Sequence, residues 1–317
     1  MAAAVAVVPL AVSAPGSAAP VRAQAASVVP CPADSAAKVA GRSARKVPLW
    51  RQASDTSAVS QADLDALPAQ ETSPGFVARE VTPKLAARVW IPVYAHVITG
   101  RHTGERKGIG PRRIRHLVDI MNKAMAGQQS DLSTPTRYRF SVKKVNYTRR
   151  DGWYHAYLYG TRDQRMKRRL HRGGADALNL YINGGGPRNY PVLGWSRFPW
   201  QYERTPKLDG ITVNVAALPG GKARGYNLGD TIMHETGHWL GLLHTFEGGC
   251  DSRGDLVADT ASEAEPSYEC ETTRDTCTEP GLDPVHNFMD YSFDSCMDML
   301  TAGQVRRMDA AFENWRQ

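Results

Sequence analysis

Apolar and polar residues first alternate from Arg88 to Ile98, where Val89, Ile91, Val93, Ala95 and Val97 fall on one face. A period of two predicts a strand with that face in the core. Between Pro111 and Gly127 the period lengthens, with Ile114, Leu117, Val118, Met121 and Met125 at helical spacing, a proline at the start and a glycine at the end. This is a backing helix whose methionines belong to its packed stripe. Tyr138, Phe140 and Val142 alternate with Arg137, Arg139, Ser141 and Lys143 in a second strand with one wet face. A basic helix is expected from Thr161 to His171. A strand built on Leu178, Leu180 and Ile182 follows before Gly184-Gly185-Gly186. Asp209 to Ala217 supplies a further strand, after which Asn227 and Asp230 read as cap and capping partner of the next helix. Strand and helix alternate along this stretch, so the pattern predicts a mixed sheet backed by helices.

Upstream of residue 85 the periodicity fades. Residues 1–26 are rich in alanine and valine, with small residues around Ala23-Gln24-Ala25, and read as a signal peptide, although no Lys or Arg precedes the apolar run. Residues 27–84 shift to Ala, Ser, Pro and Gln and read as a propeptide, which leaves 85–317 as the folded domain. At 317 residues and 42% hydrophobic content, one good-sized core is affordable. No apolar run approaches the roughly 20 residues of a spanning helix, so no integral membrane segment is expected.

The formal net charge is +7, concentrated between Arg101 and Arg115 and in a run containing Arg165, Lys167, Arg168 and Arg169. A basic face of this kind is expected to be solvated. A polyanion-binding surface is carried as an alternative, and with no nucleic-acid module in the chain no nucleic-acid partner is expected. Four of the five cysteines, Cys250, Cys270, Cys277 and Cys296, fall in the last quarter. In an exported chain they imply two disulfides, for which three pairings exist. Cys31 is left over.

The chemistry sits in His234-Glu235-Thr236-Gly237-His238-Trp239-Leu240-Gly241-Leu242-Leu243-His244. Side chains four apart share a helix face, so His234 and His238 form a chelating pair. Glu235 stands beside the first ligand, where it can act as general base on a metal-bound water. Gly241 allows a left-handed turn that swings His244 back as a third ligand. Three neutral nitrogens with a fourth position open define a catalytic zinc site. A thiolate can fill that fourth position, so Cys31 in the propeptide, flanked by Pro30 and Pro32, is a candidate latency switch.

These eleven residues, with Asn287-Phe288-Met289-Asp290-Tyr291 downstream, resemble the metzincins and their Met-turn. The H-W-L-G-L-x-H wording and Gly248-Gly249-Cys250 are most similar to the pappalysin (M43, ulilysin-like) family, a family of secreted zinc endopeptidases. The resemblance is dense over about residues 190 to 305. It implies an α+β fold: a mixed, mostly parallel twisted sheet backed by helices above the cleft (85–244), and an irregular disulfide-bonded subdomain below it (245–317). The same resemblance implies Cys250–Cys277 and Cys270–Cys296 pairings, Met289 as a thioether floor under the histidines, and Tyr291 as a donor to the developing oxyanion. Leu193 to Pro199 resembles the family's edge strand above the cleft, which makes Trp195 a candidate substrate contact, against the alternative of an ordinary loop. Asp294 is a candidate base of the pocket for the residue after the scissile bond, where it would favour Arg or Lys. Asp255, Asp259 and Glu263 hold positions matching the family's calcium loop, though an exposed acidic loop reads equally well. The expected function is secreted zinc endopeptidase acting on a protein or peptide substrate. The alternative is a catalytically silent binding protein of the same fold, and the sequence leaves the oligomeric state open.

Overall fold

The computed structural model describes residues 87–101, 109–187, 191–250 and 254–317. The expected signal peptide and propeptide, Cys31 included, lie outside the described residues.

Five strands form one sheet in the order β2-β1-β3-β5-β4. Strand β1 (Val89–Thr99) runs parallel to β2 (Tyr138–Arg149) on one side and to β3 (Leu178–Asn183) on the other, and β5 (Ile211–Asn214) continues the parallel set from β3. Only β4 (Gly194–Trp195) is antiparallel, pairing with β5 at the sheet's end. Helix α1 (Pro111–Met125) lays Ile114, Leu117, Val118, Met121 and Met125 on the sheet face that carries Ile91, Val93, Ala95 and Val97. One face of the sheet is thereby dry. On the other face the one-turn helix α2 (Asp151–Tyr154) and helix α3 (Thr161–Leu170) cover Ile98 and Tyr181 with Trp153, Tyr154 and Met166. This second cover explains why every residue of β3 is buried, although its sequence alternates. The buried amide of Asn179 is satisfied on both sides, accepting from Arg172 N–H at 2.8 Å and donating to Arg172 C=O at 2.8 Å.

The active helix α4 (Thr231–Trp239) packs under β5, and helix α5 (Ala302–Trp315) closes the chain. Between them the backbone is largely irregular and is held by Cys250–Cys277 and Cys270–Cys296, the pairing the family resemblance implied. Helix α5 opens on a capping box, Thr301 with Gln304, and buries Met308 and Phe312 in the main core, with Ala311 buried beside them. No helix among the described residues is long and apolar enough to cross a membrane.

Arg316, just past α5, is fully buried. Its guanidinium lies 3.9 Å from the Trp239 ring centroid, pairs with Asp209 at 2.9 Å, and donates to Trp239 C=O at the end of α4. Removing one partner of a buried pair strands the other charge, which costs about 3–5 kcal/mol. Arg316→Ala is therefore expected to lower the unfolding temperature markedly. An unchanged melting curve would show that the C-terminus does not brace the active helix.

Candidate active site

Helix α4 begins without a side-chain cap from its own N-cap residue, Asp230, and the Asn227 side chain donates to Gly221 C=O instead. The expected Asn227–Asp230 cap is therefore corrected. The carboxylate that serves this end is Asp294: its Oδ2 accepts the N–H groups of Leu228 at 2.7 Å and Gly229 at 2.9 Å. A carboxylate at a helix start is favoured by the backbone dipoles as well. Asp294 Oδ1 is buried and makes no hydrogen bond among the described residues.

Burial pushes the Asp294 carboxyl up to about 6. Burial, and then the charge of Asp294, push Asp230 from 3.8 up to about 7. A carboxyl that titrates higher in the folded chain than in the unfolded one holds its proton preferentially when native. The stability it contributes is complete below about pH 4 and is lost as the pH rises through 6 to 7. With zinc in excess, the melting temperature is expected to fall as the pH rises from about 4 to 7, and Asp230→Asn should make that fall shallower. Parallel pH profiles for the two proteins would contradict this.

His234 and His238, one turn apart on α4, meet His244 beyond the helix end. Gly241 has φ +98°, a backbone region that favours glycine, and a side chain there would meet Ala311 of α5. The turn brings His238 Nε2 to 3.2 Å from His234 Nε2 and 3.1 Å from His244 Nε2. Tetrahedral zinc with bonds of roughly 2.0–2.1 Å sets neighbouring nitrogens about 3.3 Å apart, so the triad fits that ion. The tautomers fit as well. His234 Nδ1–H donates to Phe288 C=O at 2.7 Å and His238 Nδ1–H to Leu242 C=O at 2.8 Å, which leaves each Nε2 lone pair facing the common point. His244 stacks on Phe246 and turns its Nδ1 toward Glu247 at 3.5 Å.

Glu235 is buried beside this point, and its seat is made by strand β4. A Cβ added to Gly194 would collide with Glu235 Oε1 and lie 2.8 Å from its Cδ, so only glycine lets the carboxylate pack there. Tyr291 reaches in from the opposite side with its hydroxyl 3.2 Å from His244 Nε2. Asp290 fixes it by accepting the N–H groups of Tyr291 and Ser267. Met289 is fully buried against Gly237, where a Cβ would strike its Sδ, so the thioether supports the ligand helix from below. The turn is tied to α5 by reciprocal amide bonds of 2.9 Å between Asn287 and Gln304. Gly194, Gly237 and Asp290 were not singled out in the sequence. Their only signal there is their place in the expected edge strand, in the zinc motif and in the Met-turn.

Two sequence expectations change. The Trp195 side chain does not line the cleft; it is fully buried and faces α3, with its ring 6.0 Å from Lys167 Nζ. Asp255, Asp259 and Glu263 are not brought together. Among the described residues the only clustered donor sets are the histidine triad and Cys250, Cys277 and Glu279, of which the cysteines are a disulfide. Asp255 accepts Val257 N–H, Asp259 accepts Gly303 N–H, and Glu263 pairs with Arg274 at 2.7 Å. Arg274 also holds Asp283 at 3.1 Å, so Glu263 is taken by a guanidinium while Asp255 and Asp259 are engaged elsewhere, and the three do not gather at one point as a calcium site would need.

A twisted sheet over a helix that carries two histidines, with a third returned by a glycine turn and a methionine beneath, defines a metzincin-type zinc peptidase. Residues 181–313 match the M43 peptidase family, described as pregnancy-associated plasma protein-A. The chain is 37% identical over 237 residues to an extracellular metalloprotease of Pyricularia oryzae, covering 73% of this chain and 79% of that protein. It is also 37% identical over 239 residues to extracellular metalloprotease 1 of Coccidioides posadasii, covering 74% and 79%. In fold it is similar to mature mirolysin of Tannerella forsythia in complex with a cleaved peptide, with a TM-score of 0.59 at 24% identity over 72% of this chain and 92% of that one. The chain belongs to the M43 metallopeptidase family, the pappalysins.

Proposed function

We propose that this extracellular metalloprotease cuts internal peptide bonds with His234, His238 and His244 as the zinc ligands, Glu235 as the base and Tyr291 as the oxyanion donor. Zinc held there would supply a Lewis acid for the scissile carbonyl and would acidify water. The convergence of three Nε2 atoms at 3.1–3.2 Å beside a buried glutamate carries this reading.

Glu235 takes the proton of the attacking water and delivers it to the leaving amine, a role that needs a carboxylate close to the reacting carbon and held from rotating. Gly194 provides that restraint. The Tyr291 hydroxyl donates to the carbonyl oxygen as it gains charge. Strand β4 is the sheet's last strand, and its outer edge suits an extended peptide that adds as a further antiparallel strand. Trp195 serves this strand through its backbone and its buried ring. The silent-binder alternative has no support: a protein that only binds has no use for a carboxylate poised beside an open metal position.

The buried Oδ1 of Asp294 suits a basic side chain after the scissile bond. No step requires calcium, because Asp255, Asp259 and Glu263 do not gather at one point and Glu263 is paired with Arg274. Digestion of an unfolded protein, with product termini sequenced with and without a zinc chelator, tests the zinc peptidase reading and the Asp294 pocket. Chelator-sensitive cleavage with Arg or Lys at the new N-termini is expected. Termini spread over all residue types would discard the Asp294 pocket, and chelator-resistant cleavage would discard the zinc peptidase.

A further inference from the structure

Strand β4 is two residues long and pairs only with β5, through Gly194 opposite Val213 and Trp195 opposite Thr212. So short a strand cannot fix its own height over α4. Its second anchor is on α3. Lys167, which a basic run would place in solvent, is fully buried, with Nζ 3.7 Å from Asp163 Oδ2, 5.5 Å from the Tyr181 ring centroid and 6.0 Å from that of Trp195. Burial disfavours the ionised form of Asp163, while Lys167, Arg197 and the neighbouring Trp195 indole favour it, although the indole N–H makes no hydrogen bond among the described residues. Arg197 in turn lies over Tyr159, whose hydroxyl donates to Ser196 C=O just past the strand.

Burying two charges is costly, and an apolar pair of the same volume is often as stable or more so. Burial pushes the Asp163 carboxyl up and the Lys167 ammonium down, so the fold works against this pair from both sides. Stability therefore gives no reason for it. The contacts run instead from Asp163 and Lys167 to Trp195, from Trp195 to its neighbour Gly194, and from Gly194 to the Glu235 carboxylate.

We propose that Asp163 and Lys167 are a positioning pair that holds Trp195, and with it strand β4, at the height at which Gly194 seats Glu235 for proton transfer. The proposal rests on the peptidase reading given above. Neither residue touches substrate; they act through the strand.

The test compares the parent with Trp195→Phe, which removes the indole N–H and shortens the buried ring, and with the double variant Asp163→Leu/Lys167→Met, which leaves no stranded charge. Zinc content, melting temperature, kcat and KM are measured on one extended peptide. Both variants are expected to bind zinc and to lose about tenfold or more in kcat; the double variant should melt as the parent does, and Trp195→Phe somewhat lower because its smaller ring leaves a cavity. A merely structural pair would leave kcat alone once the charges are removed together. Parental kcat in both variants would overturn the proposal, as would a loss confined to KM, which would mean the strand acts on substrate and not on Glu235. Should the double variant fail to fold, Trp195→Phe decides by the same criterion. A zinc-loaded but inactive parent would overturn the peptidase reading, and this proposal with it.

Discussion

Glu235→Gln is expected to lower kcat/KM by about three orders of magnitude or more, at unchanged zinc content and melting temperature. Glutamine keeps the shape that packs on Gly194 but cannot accept a proton, so the loss isolates proton transfer. A general base is worth about 10²–10⁴-fold, and here the same carboxylate also returns the proton to the leaving amine, which places the loss toward the upper end. Three orders correspond to about 4 kcal/mol of barrier. Steady-state kinetics on a quenched peptide, with metal analysis of the same preparation, checks it. A variant within tenfold of the parent would remove Glu235 from the mechanism.

Stripping the metal is expected to abolish activity and to lower the melting temperature. The three imidazoles are buried, and their Nδ1 atoms are already committed to Phe288 C=O, Leu242 C=O and Glu247. Ligand geometry is therefore largely built before the ion arrives, and binding to the native chain alone stabilises it by about 4 kcal/mol at a thousandfold excess over Kd. Zinc added to the stripped parent should restore both activity and melting temperature. It should restore neither in His238→Ala, which removes the nitrogen central to both short contacts. Calcium added in place of zinc should do nothing, since Asp255, Asp259 and Glu263 are not gathered around one point and Glu263 is paired with Arg274. Full activity in the stripped parent would contradict the reading.

Much of this was legible from local pattern. The alternation in β1, the helical stripe of α1 and the ligand spacing on α4 are each set by a periodicity that burial then follows. Gly241 was legible because a turn so tight needs a positive φ. Contacts between distant segments were not. Trp195 faces α3 and not the cleft because β4 is covered from behind, which no residue of Leu193 to Pro199 announces. Asp294 serves the start of α4 from 64 residues away, in place of the nearby Asn227. The acidic residues after the motif suggested a cation, but they go to separate partners, Asp255 to Val257 N–H, Asp259 to Gly303 N–H and Glu263 to Arg274, which depends on how the disulfide-bonded segment folds back. Helix α5 went unassigned although Thr301 and Gln304 form a capping box and Met308, Ala311 and Phe312 follow at helical spacing.

The most direct test is X-ray absorption at the zinc edge on the active protein, together with metal stoichiometry. The account predicts one zinc per chain with three imidazole nitrogens at about 2.0–2.1 Å. An active preparation holding well under one zinc, or a zinc with fewer than three imidazoles, would contradict it.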